Sequence, residues 1–119
     1  MSVASYQKAQ KVAESPRQME YRLFAQITGE LIAARDQGLS GREMADALHR
    51  NREMWTVLAN DCGAKGNGLP DQLRASIISV SLWVNKFTSS VMRGAEKVDE
   101  LINVNRNIME GLAPAKQAA

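Results

Sequence analysis

Apolar residues recur at steps of three and four along most of this chain, which is the spacing of one face of an α-helix. The pattern is strongest over residues 71–93, where one stripe takes in Leu73, Ile77, Val80, Val84, Phe87 and Val91. Apolar residues also alternate over 78–84, which would suit a β-strand. Because the helical period continues far beyond the length of an ordinary strand, we predict a helix, central to the fold and buried by several neighbours or partly open for a partner.

Start and stop signals predict three more helices. One begins with a Ser-Pro pair and covers 16–37, the next begins at the capping box Ser-Gly-Arg-Glu of 40–43 and ends near 62, and the last covers about 96–110. A glycine follows each of the four predicted helices, as is common at helix ends. The connections are short or moderate, so consecutive helices should run antiparallel and bury their apolar stripes against each other. The predicted fold is therefore all-α, an up-and-down antiparallel bundle of four main helices.

The two ends of the chain have weaker patterns. Residues 1–14 form a weakly helical arm in which Tyr6, Ala9 and Ala13 share a face, interrupted by lysine and glutamine. This arm is either a mobile terminus or a segment that docks on a groove through Tyr6. The bundle domain is predicted to cover 15–112, and 113–119 to be a disordered tail.

Length and composition agree with one globular domain. The chain has 119 residues, 45% of them hydrophobic and 24% charged, with a net charge of +2. That charge is too small to indicate a nucleic-acid or membrane partner. There is neither a long apolar run nor an apolar stretch near the start that would suit a secretory signal, so we expect a cytoplasmic protein.

The residue types that carry catalysis or bind metals are sparse. His49 lacks a cysteine or carboxylate at a metal-ligand spacing, and Cys62, the single cysteine, is predicted at a helix C-terminus, where the thiol pKa rises. The glycine-rich loop 63–69 lacks the preceding strand and the Lys-Ser/Thr pair of a phosphate-binding loop. Residues 39–48 are similar to the first helix of a helix-turn-helix, but the helix continues without the required turn. We therefore predict no enzyme activity, cofactor, metal or nucleic-acid partner.

Large aromatic and methionine side chains favour a protein partner instead. They could line a groove that receives an amphipathic helix. Alternatively they are all core, or they pair in a homo-oligomer. The candidate partner-binding residues are Trp83, Trp55, Leu58, Met54, Tyr21 and Phe24.

Four segments together resemble one protein family. They are SPRQMEYRLFAQIT (15–28), LHRNREMWTVLANDC (48–62), GNGLPDQLRASIISVSLWVNKFTSSVMRG (66–94) and LINVNRNIMEGL (101–112). The sequence resembles the FlaF family, flagellar biosynthesis regulators of α-proteobacteria, over all but its C-terminal tail. The Ser-Leu-Trp-Val segment at 81–84 is the most specific part.

The resemblance implies a small helical protein of the cytoplasm that is needed for flagellin production and export. It implies flagellin as the partner, bound as an export chaperone whose groove covers an amphipathic terminal segment. The alternative is a regulator that acts on flagellin translation through the FlbT repressor or the flagellin message. No site residues are carried over from the family.

Overall fold

Four α-helices make up almost all of the computed structural model, which describes residues 16–64, 66 and 68–112. They are α1 (Pro16–Asp36), α2 (Ala45–Cys62), α3 (Asp71–Met92) and α4 (Asp99–Leu112), with a short 3₁₀ turn at Gly41–Met44 before α2. The part of the chain described contains no β-strand. The all-α bundle predicted from the sequence is confirmed, and the strand alternative for 78–84 is wrong.

Each helix runs antiparallel to the one before it. The start of α2 lies beside the later part of α1, where Arg50 Nε is 2.8 Å from Glu30 Oε1. At the opposite end of α2, Arg74 in the first turns of α3 donates a 2.8 Å hydrogen bond to the backbone C=O of Cys62. The fourth helix returns along α1 and closes the ring, and Arg35 Nη1 lies 3.2 Å from Asp99 Oδ2. The order around the bundle is therefore α1, α2, α3, α4.

Helix ends mostly follow the local signals. Gly38, after α1, has a φ of 80°, which an L side chain adopts only with strain. Ser40 and Glu43 form the predicted capping box, in which the Ser40 N–H donates to Glu43 Oε1 at 3.2 Å. The first turn after this box is 3₁₀ rather than α-helical, so α2 proper begins at Ala45.

The predicted span of the last helix was wrong at both ends, since 96–110 was expected and α4 covers Asp99–Leu112. The α3 helix closes through the left-handed Gly94, and the chain then needs residues 95–98 to turn back. Val98 is buried, and its C=O accepts the N–H groups of Leu101 and Ile102, which places the start of the helix directly after it.

The core is formed by the predicted stripes. In α3, Ile77, Val84 and Val91 are buried, with Leu73, Val80 and Phe87 packed half-buried beside them. The neighbouring stripe of α3 faces solvent, with Ile78 40% and Leu82 67% exposed. The α3 helix therefore has two apolar sides. Neighbouring helices cover one of them, and the other faces solvent.

A cluster of polar side chains lies inside this core. Asn105 Nδ2 donates to Thr28 Oγ1 at 3.0 Å and to Asn51 Oδ1 at 2.8 Å, and Asn105 Oδ1 accepts the indole N–H of Trp55 at 2.8 Å. All four residues are buried. The cluster thus ties α1, α2 and α4 together at one level of the bundle.

Two sequence predictions fall outside the described residues: the weakly helical arm at 1–14 and the disordered tail at 113–119. Among the helices that are described, none is long and apolar enough to cross a membrane.

Candidate functional site

An open groove of about 340 Å³ runs between α1 and α2. Its α1 wall is one stripe that includes Leu23, Phe24 and Ile27, and its α2 wall includes Met54, Val57 and Leu58. Leu23 is 43% exposed and Val57 is 63% exposed, so apolar side chains of both walls face solvent. An exposed apolar surface between two helices is typical of a site that receives a partner.

Helix periodicity explains why these side chains meet. Leu23 and Ile27 are one turn apart on α1, as are Met54 and Leu58 on α2, so each pair lies on one face of its helix. The bottom of the groove is supported from inside the bundle, because the Phe24 ring packs edge-on against Trp55 with ring centroids 5.4 Å apart. Trp55 is itself held by its hydrogen bond to Asn105. The groove is therefore built on the rigid centre of the bundle.

The rim of the groove is acidic. Glu20, Glu53 and Asp61 border it, together with one arginine, Arg50. Arg50 forms an ion pair with Glu30, which offsets its charge. Glu53 in turn lies 2.7 Å from His49 Nε2, so charged groups of both signs border the groove.

The structure separates the predicted partner-binding residues into two groups. Phe24, Met54 and Leu58 line the groove. Tyr21 is half-buried and Trp55 is 0% exposed, so the indole of Trp55 supports the floor from inside and does not reach the surface. The binding roles of all these residues stay predictions.

Trp83 lies on another part of the molecule. It belongs to α3, is 38% exposed, and stacks on Phe87 with ring centroids 4.6 Å apart and an angle of 21° between the planes. It does not line the groove between α1 and α2. The sequence had placed it in one groove with Trp55, because both are large aromatic anchors, but the structure does not bring the two rings to one surface.

Sequence reasoning did not single out Val57 or the acidic rim. A signal for them exists, because Glu53, Val57 and Asp61 follow one another at steps of four and so lie along one helix face. What could not be read from this pattern is that Val57, beside α1, stays 63% exposed in the folded chain.

The residues considered for chemistry have ordinary surroundings. His49 Nε2 lies 2.7 Å from Glu53 Oε1 on the exposed side of α2. Burial raises the pKa of the Cys62 thiol, which lies at the C-terminus of α2. Within the described ranges, no three histidine, cysteine or acidic residues are placed to hold a metal ion.

The fold and this surface define a four-helix bundle with an apolar groove between its first two helices. A family model described as flagellar protein FlaF matches residues 2–112 of the sequence. The chain therefore belongs to the FlaF family of flagellar proteins. Neither a curated protein nor a solved structure matches it significantly.

Proposed function

We propose that this protein binds flagellin in the groove between α1 and α2 and acts as its export chaperone in the cytoplasm. The observation that carries the proposal is the groove, an uncovered apolar surface on a member of a flagellar protein family. In this role the protein promotes both the synthesis and the secretion of flagellin.

The length and volume of the groove suit the binding of one face of a helix. Its α2 wall extends from Arg50 to Asp61, which is about 17 Å along a helix axis. A volume of about 340 Å³ accommodates a row of apolar side chains while the rest of the bound helix stays outside. This is the geometry by which an amphipathic helix anchors itself through residues spaced three and four apart.

Binding in this groove would shield exposed apolar surface of both proteins from water. An amphipathic segment that is disordered before assembly exposes an apolar stripe, and such stripes associate with each other. Covering the stripe with Leu23 and Val57 removes apolar surface of both partners from water. The ordering of the segment opposes this gain, so a complex of moderate affinity that can be released at the export machinery is expected.

Isothermal calorimetry with purified monomeric flagellin tests the proposal, with light scattering to give the mass of each protein and of the mixture. We expect a discrete complex with a dissociation constant near micromolar or tighter and a negative heat-capacity change, because apolar surface is buried. Absence of binding would contradict the proposal. Binding of flagellin message instead, with a steep dependence on salt, would favour a regulator of translation.

A further inference from the structure

The outer face of α3 differs from the exposed faces of the other helices. Exposed positions of α1, α2 and α4 carry charged side chains, whereas residues 75–92 of α3 include one charged residue, Lys86. Six uncharged residues are exposed beside it: Ala75, Ser76, Ile78, Ser79, Leu82 and Trp83. We call these seven residues the α3 face. A helix surface in water ordinarily carries charge, so an almost uncharged one indicates contact with another protein surface.

The large side chains of the α3 face offer a preformed apolar contact surface. Leu82 is 67% exposed, Ile78 is 40% exposed and Trp83 is 38% exposed. The Trp83 ring is held by stacking on Phe87, with ring centroids 4.6 Å apart, so it would lose little conformational freedom on contact. If a whole side chain of this size presents roughly 150–250 Å², the three together expose about 300 Å². An apolar patch of that size on a single chain often marks an interaction site.

The α3 face is complementary to itself. Ala75, Ser79 and Leu82 follow one another at steps of four and three, which is the spacing of the seam between two packed helices. Small side chains prevail in the N-terminal half of the face and large ones in its C-terminal half. If two α3 helices run antiparallel about a two-fold axis between positions 80 and 81, large side chains of one copy lie over small ones of the other. Leu82 then packs on Ser79 of the second copy, and Trp83 packs on Ser76 of that copy.

Charge also favours the antiparallel arrangement. It puts Lys86 opposite Ala75 of the second copy, one helical turn from Asp71 of that copy. The Asp71 side chain is 99% exposed, and its contact with Arg74 Nη1 is 3.5 Å long, so its carboxylate can accept a second cation. The two Lys86 side chains then lie about 16 Å apart along the helices, whereas a parallel pair would bring them together. The antiparallel pair therefore brings opposite charges together and keeps like charges apart.

We infer that two copies of this chain pair antiparallel through their α3 faces as a reversible homodimer. The large apolar side chains of both copies supply about 600 Å² of contact area, and the surrounding small and polar residues bring it to about 1,000 Å². Interfaces of this size belong to weak complexes, so we expect a dissociation constant of about 10–100 µM. The groove is formed by α1 and α2 and not by α3, so this inference does not rest on the proposed function.

Sedimentation equilibrium of the full chain tests the pairing without any other protein. Between about 5 µM and about 1 mM, the average mass should rise from the 13.1 kDa of one chain towards twice that value. Leu82→Glu brings two carboxylates together beside the two-fold axis and should weaken the dimer at least about tenfold. Met19→Glu is the matched control, because Met19 is also an exposed apolar side chain of a helix, at 48%, and it should leave the dissociation constant unchanged.

Cysteine cross-linking tests the antiparallel arrangement. In a Cys62→Ala background, Ala75→Cys and Lys86→Cys are made as two separate proteins, one of them with a mass tag, and mixed in equal amounts. The arrangement puts position 75 of one copy opposite position 86 of the other, whereas two copies of the same position lie about 16 Å apart, too far for a disulfide. Under mild oxidation we expect the mixed disulfide to exceed either homodisulfide at least about tenfold.

Four results would overturn the inference. The mass of a single chain over the whole concentration range would show that the α3 face does not pair with itself, whether another segment or another protein covers it. Loss of the dimer in Val57→Glu with its retention in Leu82→Glu would place the contact in the groove. Disulfides in statistical proportions would indicate random collision, and an excess of the two homodisulfides would indicate a parallel pair.

Discussion

The indole N–H of Trp55 donates a 2.8 Å hydrogen bond to the side-chain oxygen of Asn105, fifty residues further along the chain. Both side chains are fully buried, and the bond joins α2 to α4 across the centre of the bundle. Asn105 also donates to Asn51 and Thr28, so its amide meets three partners at once. A shift of α2 or α4 along its axis would break at least two of these bonds, which specifies the register of the bundle.

Replacing Asn105 with alanine should therefore be strongly destabilising. The change leaves the Trp55 N–H without its acceptor in a buried site, and we expect a loss of about 2–4 kcal/mol in the free energy of unfolding. Urea denaturation followed by far-UV circular dichroism measures it. Asn107→Ala, on an exposed position of the same helix, is the matched control and should change stability by less than about 0.5 kcal/mol. Similar losses for both variants would contradict a central role for this bond.

The two tryptophans should respond differently to truncation. Trp55→Ala empties a fully buried site and should cost about 3–5 kcal/mol. Trp83→Ala removes a partly exposed ring stacked on Phe87 and should cost about 1 kcal/mol. Because Trp83 lies away from the groove, its variant should keep the flagellin affinity of the wild type, measured by calorimetry. A selective loss of flagellin affinity would move the binding site to α3.

Two glycines of the first half of the chain should have opposite effects on stability when changed to alanine. Gly29 is an exposed position in the middle of α1, and a Cβ there would meet nothing within 4 Å. Gly29→Ala should stabilise the protein by up to about 1 kcal/mol, since alanine favours a helix. Gly38 has a φ of 80°, so Gly38→Ala should destabilise it by about 1 kcal/mol. Thermal unfolding measures both effects. A change in melting temperature of the same sign in the two variants would contradict the left-handed conformation of Gly38 after α1.

Cys62 gives a pH dependence with a definite sign. Burial raises the pKa of its thiol in the folded protein above the ordinary value of 9.0. As the pH rises through that value, the unfolded chain ionises first, so the stability that the buried neutral thiol provides below it is lost. Stability measured in urea should fall more between about pH 8 and about pH 10 in the wild type than in Cys62→Ala. Parallel falls in the two proteins would contradict the burial of the thiol as the cause.

The helices and their buried faces could be predicted from the sequence because both depend on local spacing. Asn51 interrupts the apolar stripe of α2, and Asn105 lies within that of α4, so each could be recognised as a polar residue at a core position. The hydrogen bond between Asn51 and Asn105 could not be predicted, because it depends on the relative positions along their axes of two helices that are distant in sequence. The start of α4 was missed for a related reason, since the helix begins only after Val98, which is buried in the core.

Only part of the apolar surface between α1 and α2 could be located from the sequence. Phe24, Met54 and Leu58 are candidate partner-binding residues that line this groove, and their role in binding stays a prediction. Trp55 shares the stripe of α2, yet the structure turns it fully inward. Periodicity gives the side of a helix on which a residue lies, whereas the packing of the neighbouring helices decides whether that side is core or open surface.

The most direct test of the central claim compares two matched double variants in their binding of monomeric flagellin. Leu23→Gln with Val57→Gln removes the exposed apolar side chains of the groove, which are 43% and 63% exposed. Ile78→Gln with Leu82→Gln removes side chains of α3 that are 40% and 67% exposed, and both pairs should leave the fold intact because they already face solvent. We expect the groove pair to weaken flagellin binding at least about tenfold, or about 1.4 kcal/mol, and the α3 pair to leave it within about twofold. Weaker binding by the α3 pair alone, with the groove pair like the wild type, would contradict the assignment of the groove as the flagellin site.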